Sequence, residues 1–274
     1  MPQARSFLAV KIIRELAVDL RENFESSLGG DAKRRFAVPL LGELILWALF
    51  LVAVYTPSIR AGSLELIRKI PHSGYSEGLH YDGGFLWNAL PTEIVKINPK
   101  DGSVVARFAP ASAYSESVVW VNGELWNVSY ADNGIFKGTM GAKGLGFERK
   151  GSVPEIHAWG IEFDGTHLVV TGDYSNKLYF LNPKTLKVER QVTVSVKDLE
   201  DLAWDGVGFW ASSFTQLRGQ IFRINPKTGA VSPYYSLPQP EECPVIDGLA
   251  WDGNALWVTG KHCPSIYYVK RPPL

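Results

Sequence analysis

Residues 247–257 read DGLAWDGNALW: an aliphatic residue two places in (Leu249), an aromatic at four (Trp251), then Asp252-Gly253, and a second tryptophan at ten (Trp257). The same phrase begins at Glu77, Glu116, Trp159 and Glu200. Its aliphatic position holds Leu79, Val118, Ile161 and Leu202, and its aromatic position holds Tyr81, Trp120, Phe163 and Trp204. Asp-Gly recurs at Asp82-Gly83, Asp164-Gly165 and Asp205-Gly206, with Asn122-Gly123 shifted by one in the second copy. The phrase closes with Trp87, Trp126, Val169 and Trp210. Successive copies lie 39, 43, 41 and 47 residues apart. A period of roughly 40 to 50 residues rich in alternating β-formers is that of a four-stranded propeller blade.

The fourth copy shows how one blade is built. Leu199–Trp204 is predicted as the innermost strand, Asp205-Gly206 as the hairpin turn and 208–213 as the second strand. The alternating QIFRIN of 220–225 is the third strand and 230–235 the outer one. Asn225-Pro226-Lys227-Thr228-Gly229 is a tight turn, since Pro presets φ and Gly supplies positive φ. It recurs at Asn98 and Asn182. After Lys270 the fifth copy has no residues left for a fourth strand, whereas Leu64–Ile70 precedes the first copy without a blade of its own. Using it as the outer strand of the last blade closes a five-bladed ring over residues 62–274 and removes a free sheet edge. The fold class expected is therefore all-β, a five-bladed propeller.

The first 60 residues differ in kind. Residues 36–55 read FAVPLLGELILWALFLVAVY, with Glu43 the only charge. That length spans a bilayer core as a helix, so 36–56 is predicted as a transmembrane segment. Lys33-Arg34-Arg35 precede it and only Arg60 follows closely, a bias that keeps residues 1–35 in the cytoplasm and the propeller outside it. A cleaved leader or a buried core helix are the alternatives; the run is long for a signal peptide and lacks a following A-x-A site. Within 1–35, Phe7, Leu8, Ile12, Ile13, Leu16 and Leu20 recur at helical spacing, suggesting an amphipathic helix on a membrane or partner, or an ordinary surface helix. The chain balances 28 Lys and Arg against 28 Asp and Glu, which argues against a nucleic-acid partner.

Propeller topology puts the start of each inner strand and the loop after each second strand on one face. Glu77, Glu116, Trp159, Glu200 and Asp247 are thus expected to ring the mouth of the central channel, with Lys261 and Cys243 on the same face. Cys243 and Cys263 either form a disulfide, permitted outside the cytoplasm, or remain two buried thiols. Trp87, Trp126, Trp210 and Trp257 are expected to pack between blades. His157, His167 and His262 lack metal-ligand spacing. Asn127-Val128-Ser129 matches a glycosylation sequon but falls within a strand.

The stretch Val258-Thr259-Gly260-Lys261, with Asp247-Gly248-Leu249-Ala250 before it and Pro264 and Tyr267 after it, resembles the last blade of the five-bladed glutaminyl cyclases, the glutamine cyclotransferases of plants and bacteria. Ser115-Glu116-Ser117, Trp159-Gly160, Asp198-Leu199-Glu200 and 178–183 (LYFLNP) are similar to that family as well. The resemblance covers about residues 63–274. It implies cyclisation of an N-terminal glutaminyl residue to pyroglutamate with release of ammonia. The implied partner is a peptide or protein with N-terminal Gln, and neither metal nor cofactor is implied. Glu116 matches the catalytic glutamate, Lys261 the lysine over the developing oxyanion, and Trp159 a wall of the aromatic cup. Tyr130 and Phe214 stand at two further cup tryptophans. Glu77, Lys197, Glu200 and Asp247 fall at substrate-binding positions, Glu77 where the family has Gln and Asp247 where it has Asn. Asn88 replaces a glutamate, and Cys263 a tryptophan. Two other readings use the same mouth: a cation held by the carboxylates, as in metal-dependent lactonases, and a non-catalytic propeller that binds peptide or another ligand.

Overall fold

The computed structural model describes residues 62–272 apart from Ser73 and Lys143. The expected segments 1–35 and 36–56 lie outside the described residues. Among the described residues no helix is long and apolar enough to cross a membrane. Five antiparallel sheets follow the sequence period. Blade 1 comprises β3 (Gly78–Tyr81), β4 (Leu86–Leu90), β5 (Glu93–Ile97) and β6 (Val104–Phe108). Blade 2 comprises β7 (Ser115–Val121), β8 (Glu124–Ser129), β9 (Gly134–Gly141) and β10 (Gly144–Ser152). Blade 3 is β11 (Ala158–Phe163), β12 (Leu168–Gly172), β13 (Lys177–Leu181) and β14 (Val188–Thr193). Blade 4 is β15 (Leu199–Trp204), β16 (Phe209–Ser213), β17 (Gln220–Ile224) and β18 (Tyr235–Ser236). Blade 5 is β19 (Val245–Trp251), β20 (Ala255–Lys261) and β21 (Ser265–Lys270), closed by β2 (Leu66–Pro71) from the start of the domain. The ring therefore closes as the strand count requires.

Two details depart from the sequence reading. The outer strand of blade 4 is not 230–235; after a lone bridge at Val231 the ladder resumes only at Tyr235. Pro233 intervenes, and a proline has no N–H to give a ladder. The short strand that remains is covered by β1 (Gly62–Ser63), which pairs with it in parallel and makes blade 4 five-stranded.

The Asp-Gly turns do more than reverse the chain. Asp82 Oδ1 accepts from the N–H groups of Gly84 and Phe85, and its Oδ2 accepts from the indole of Trp87 at 2.7 Å. Asp205 treats Val207, Gly208 and Trp210 in the same way, as does Asp252 with Asn254, Ala255 and Trp257. In blade 3, where Val169 replaces the tryptophan, His167 takes the second carboxylate oxygen. Each turn thus fixes the indole that fills the seam to the next blade. Trp87 packs with Val118 and Leu125 of blade 2, Trp210 with Leu249 and Val258 of blade 5, and Trp257 with Leu79 and Leu86 of blade 1. The interblade role expected of these residues is observed. Each such side chain removes roughly 200 Å² from water.

Near the axis the inner strands crowd one another. A Cβ on Gly78 would lie 2.7 Å from the Cα of Ser117, and one on Gly160 would lie 2.7 Å from the carbonyl of Glu200. The position following each register residue is accordingly Gly78, Ser117, Gly160 and Gly248, with one exception, Asp201. Its fully buried carboxylate accepts from the N–H of Leu79 (3.0 Å), the N–H of Leu249 (2.9 Å) and the hydroxyl of Ser117 (2.8 Å), tying blades 1, 5 and 2 to blade 4. Thr171 links blades 3 and 4, accepting from Gly160 and donating to the carbonyl of Leu199.

Asp201→Ala should therefore cost about 3 kcal/mol or more in urea unfolding, because it orphans two buried amides and a hydroxyl. Burial pushes the Asp201 carboxyl up to about 8 against the opposing pull of the Leu249, Leu79 and Ser117 hydrogen bonds. Unfolded, an aspartate titrates near about 3.9. The folded state then binds the extra proton between these values, so the contribution of Asp201 to stability is full at low pH and falls as pH rises towards 8. Thermal melts across that range should fall less steeply with pH in Asp201→Asn than in the wild type, the raised acids around Lys261 supplying the slope that remains.

Candidate active site

The residues that begin each inner strand do converge. Lys261 Nζ, at the end of β20, lies 2.9 Å from Glu77 Oε2, 3.3 Å from Glu200 Oε1 and 3.5 Å from Asp247 Oδ2. All three carboxylates are buried, as are Glu116 and Trp159. A register shift interrupts the inner hairpin at Glu116, at Trp159-Gly160, at Glu200-Asp201 and at Asp247. Such bulges re-aim a side chain, and here they accompany the turn of four register residues into the well. Strand alternation alone does not specify this.

Three carboxylates thus pair with one half-buried ammonium, and a fourth, that of Glu116, is coupled to it by charge. Burial pulls the lysine pKa down, but Glu200, Asp247 and Glu77 more than reverse this and hold it charged. Among the acids, burial lifts Glu77 to about 7 despite Lys261 and the phenol of Tyr114, which donates to Glu77. Glu116 is raised well above the usual carboxylate range, by burial first and then by the charges of Glu77 and Glu200. Glu200 is raised by burial and by Asp247 beside it, and burial raises Asp247 too. Glu116 Oε2 is fully buried without a hydrogen-bond partner. The ammonium donates to Glu200, while Glu77 and Asp247 face it as ion-pair partners. Lys261 therefore occupies the place among Glu77, Glu200 and Asp247 where a metal ion would sit. Among the described residues no cluster of three His, Cys, Asp or Glu side chains is arranged to hold one.

Aromatic side chains wall the mouth. Lys261 lies 4.8 Å from the ring centre of Phe214 and 5.5 Å from that of Tyr75. Phe214 meets Trp159 edge-on at 6.1 Å. Tyr130 packs against Tyr114 at 5.7 Å and stacks on His157 at 4.2 Å. His157 Nδ1 is in turn 3.0 Å from Asp173 Oδ2. Of the residues expected here, Glu77, Glu116, Glu200, Asp247 and Lys261 are coupled through their charges, and Trp159, Phe214 and Tyr130 form the wall. Lys197 is not brought to this cluster. Its side chain is exposed, its N–H donates to Gln216 and its carbonyl accepts from Ser213. Asn127 of the sequon is buried, its amide donating to Ser115 and to the Ser117 carbonyl, so it offers no glycosylation site.

Tyr75, Tyr114, His157 and Asp173 were missed, and a period-two reading would have found the first three. Each stands two residues before a register residue and so faces the same way along the strand. Asp173 stands fourteen residues after Trp159, the offset that Tyr130, Phe214 and Lys261 have from Glu116, Glu200 and Asp247.

Cys243 and Cys263 form a disulfide. Cys263 follows Lys261 by two residues, and Cys243 precedes by two the Val245 that pairs with Lys261. The bond closes the hairpin end that carries the lysine, across a separation of 20 residues. Its reduction should lower stability by about 3 kcal/mol, read as a shift of the denaturation midpoint with and without reductant.

The sequence model of the family described as glutamine cyclotransferase matches residues 46–271. No curated protein matches the chain. Among solved structures, Myxococcus xanthus glutaminyl cyclase superposes with a TM-score of 0.66 at 18% identity, covering 76% of this chain and 96% of that one. The PQQ-bound aldose sugar dehydrogenase of Streptomyces coelicolor gives 0.51 at 11% identity, covering 76% and 98%. At these identities the superpositions speak to the fold.

Proposed function

Because the chain belongs to the glutamine cyclotransferase family, we propose that it converts the N-terminal glutaminyl residue of a peptide to pyroglutamate and releases ammonia. The observation that carries this reading is the unpartnered, buried Oε2 of Glu116, coupled by charge to a lysine held charged. In the reaction the α-amine attacks the side-chain amide carbon, a C–N bond forms, and the amide nitrogen leaves. One proton must travel from the attacking nitrogen to the leaving one. Glu116 suits both transfers, since a carboxyl with a raised pKa takes a proton near neutrality and returns it readily.

Lys261 supplies positive charge against the oxyanion. Paired with Glu77, Glu200 and Asp247, it acts through its field or by exchanging one carboxylate for substrate. Trp159, Phe214 and Tyr130 would close over the glutaminyl side chain and exclude water, with Glu77, Glu200 and Asp247 as the polar floor. The disulfide supports a propeller in an oxidising compartment. That agrees with our proposal that residues 1–35 are cytoplasmic and 36–56 an anchoring helix.

The test is ammonia release from Gln-initiated peptides by the full-length chain. Glu116→Gln should reduce the rate at least about 100-fold at unchanged melting temperature; no release by wild type over a broad peptide panel would refute the proposal. Chelators should alter neither rate nor stability.

The pH profile follows from the same groups. A protonated Glu116 accepts no proton, so kcat/KM should climb as pH rises through its elevated pKa. The charge of Glu77 is one cause of that elevation. Glu77→Gln should therefore move the acid limb of the profile to lower pH.

A further inference from the structure

We infer that Ile156 and Tyr174, on the rim of blade 3, form a subsite for apolar side chains directly following the amino-terminal residue of a bound peptide. The inference rests on the cyclase reading and extends it to substrate choice. Ala158 and Gly172 are paired in the β11–β12 ladder. The ladder continues outward by one bond, from the N–H of Asp173 to the carbonyl of His157 at 3.1 Å, and the two side chains meet at 3.0 Å. The next residues outward along these two segments are Ile156 and Tyr174. They are 65% and 77% exposed, and Tyr174 is the most exposed large hydrophobic residue among those described.

Such exposure has no folding benefit, and Tyr174 also holds a φ of 57°. A bulky residue rarely adopts that left-handed conformation, and strain kept in place by surrounding structure tends to mark functional positions. What keeps it in place is visible: Asp173, directly before it, is fixed by His157, and His157 is stacked on Tyr130 in the wall of the well. The two apolar residues thus adjoin, along the chain, the His157–Asp173 contact that backs the wall.

Substrate direction supplies the occupant. One residue deeper than Glu200, Asp201 cross-links the inner strands of blades 1, 2 and 5 amid a ring of glycine and serine, closing the axis. A peptide whose first residue fills the well can leave only across the rim. Each further residue adds about 3.3–3.6 Å of reach, so positions two and three of a peptide leaving across blade 3 reach the residues just outside its wall.

The experiment compares kcat/KM of the full-length chain for Gln-Phe-Phe-Ala amide and Gln-Ser-Ser-Ala amide. Wild type should favour the phenylalanine peptide about tenfold or more, the scale of burying an apolar side chain. Ile156→Ser combined with Tyr174→Ser should reduce the preference to about twofold through KM, with kcat little changed. The subsite is overturned if wild type shows no preference, or if the double variant keeps it. Should neither peptide release ammonia, the cyclase reading falls. The subsite is then decided by equilibrium binding of the same peptides through tryptophan fluorescence, where equal affinities would overturn it.

Discussion

Five inner strands meeting at one axis leave almost no volume there, and that crowding governs the rest of the molecule. Four of the five positions following the register residues are glycine or serine, and a Cβ would strike neighbouring backbone at Gly78 and Gly160 and neighbouring side chains at Gly248. The one carboxylate admitted, Asp201, is buried yet well supplied with donors, and it spans three other blades. Closing the axis in this way turns a channel into a cup with a floor. Everything chemical then happens on one side of it. In blades 1, 4 and 5 the seam is filled by an indole pinned to its own hairpin turn, so these blades bring their filler with them.

Above that floor the electrostatics are lopsided. Four acids against one base is an arrangement that water would dissipate and burial does not. Its resolution is partial protonation: each acid is raised, and the lysine is held charged by its neighbours. Where relatives are expected to present amides at positions 77 and 247, this chain presents carboxylates. These pair with the lysine and raise the affinity of the cup for protons. The site is therefore more strongly coupled to pH than one built from amides, and the disulfide beside Lys261 limits how far the lysine can move to relieve the imbalance.

Much of this could be read in advance from the repeated phrase. Blade number, ring closure by β2, the interblade tryptophans and the convergence of Glu77, Glu116, Trp159, Glu200 and Asp247 all follow from periodicity, which reports backbone geometry directly. What escaped the reading depends on departures from periodicity. Pro233 breaks a strand that alternation would have continued, and β1 is too short to carry any pattern. Bulges aim four register residues where parity is silent. Lys197 sits one residue before Asp198, whose φ of 53° turns the chain. A position matched by family resemblance thus ends on the surface. His157 looked inert because imidazoles are sought by metal spacing, whereas its partners, Asp173 and Tyr130, come from the loop of its own blade and from the neighbouring blade.

The two opening strands lie on different blades: β1 beside the short outer strand of blade 4, and β2 in blade 5 only three residues later. The start of the domain is therefore stitched across a seam. Force arriving through residue 62 would load β1 in shear before it reached β2, and β1 is held by few hydrogen bonds. Such a stitch works as a mechanical fuse: a sharp tug frees two residues and some slack while the closing strand, and with it the ring, stays shut.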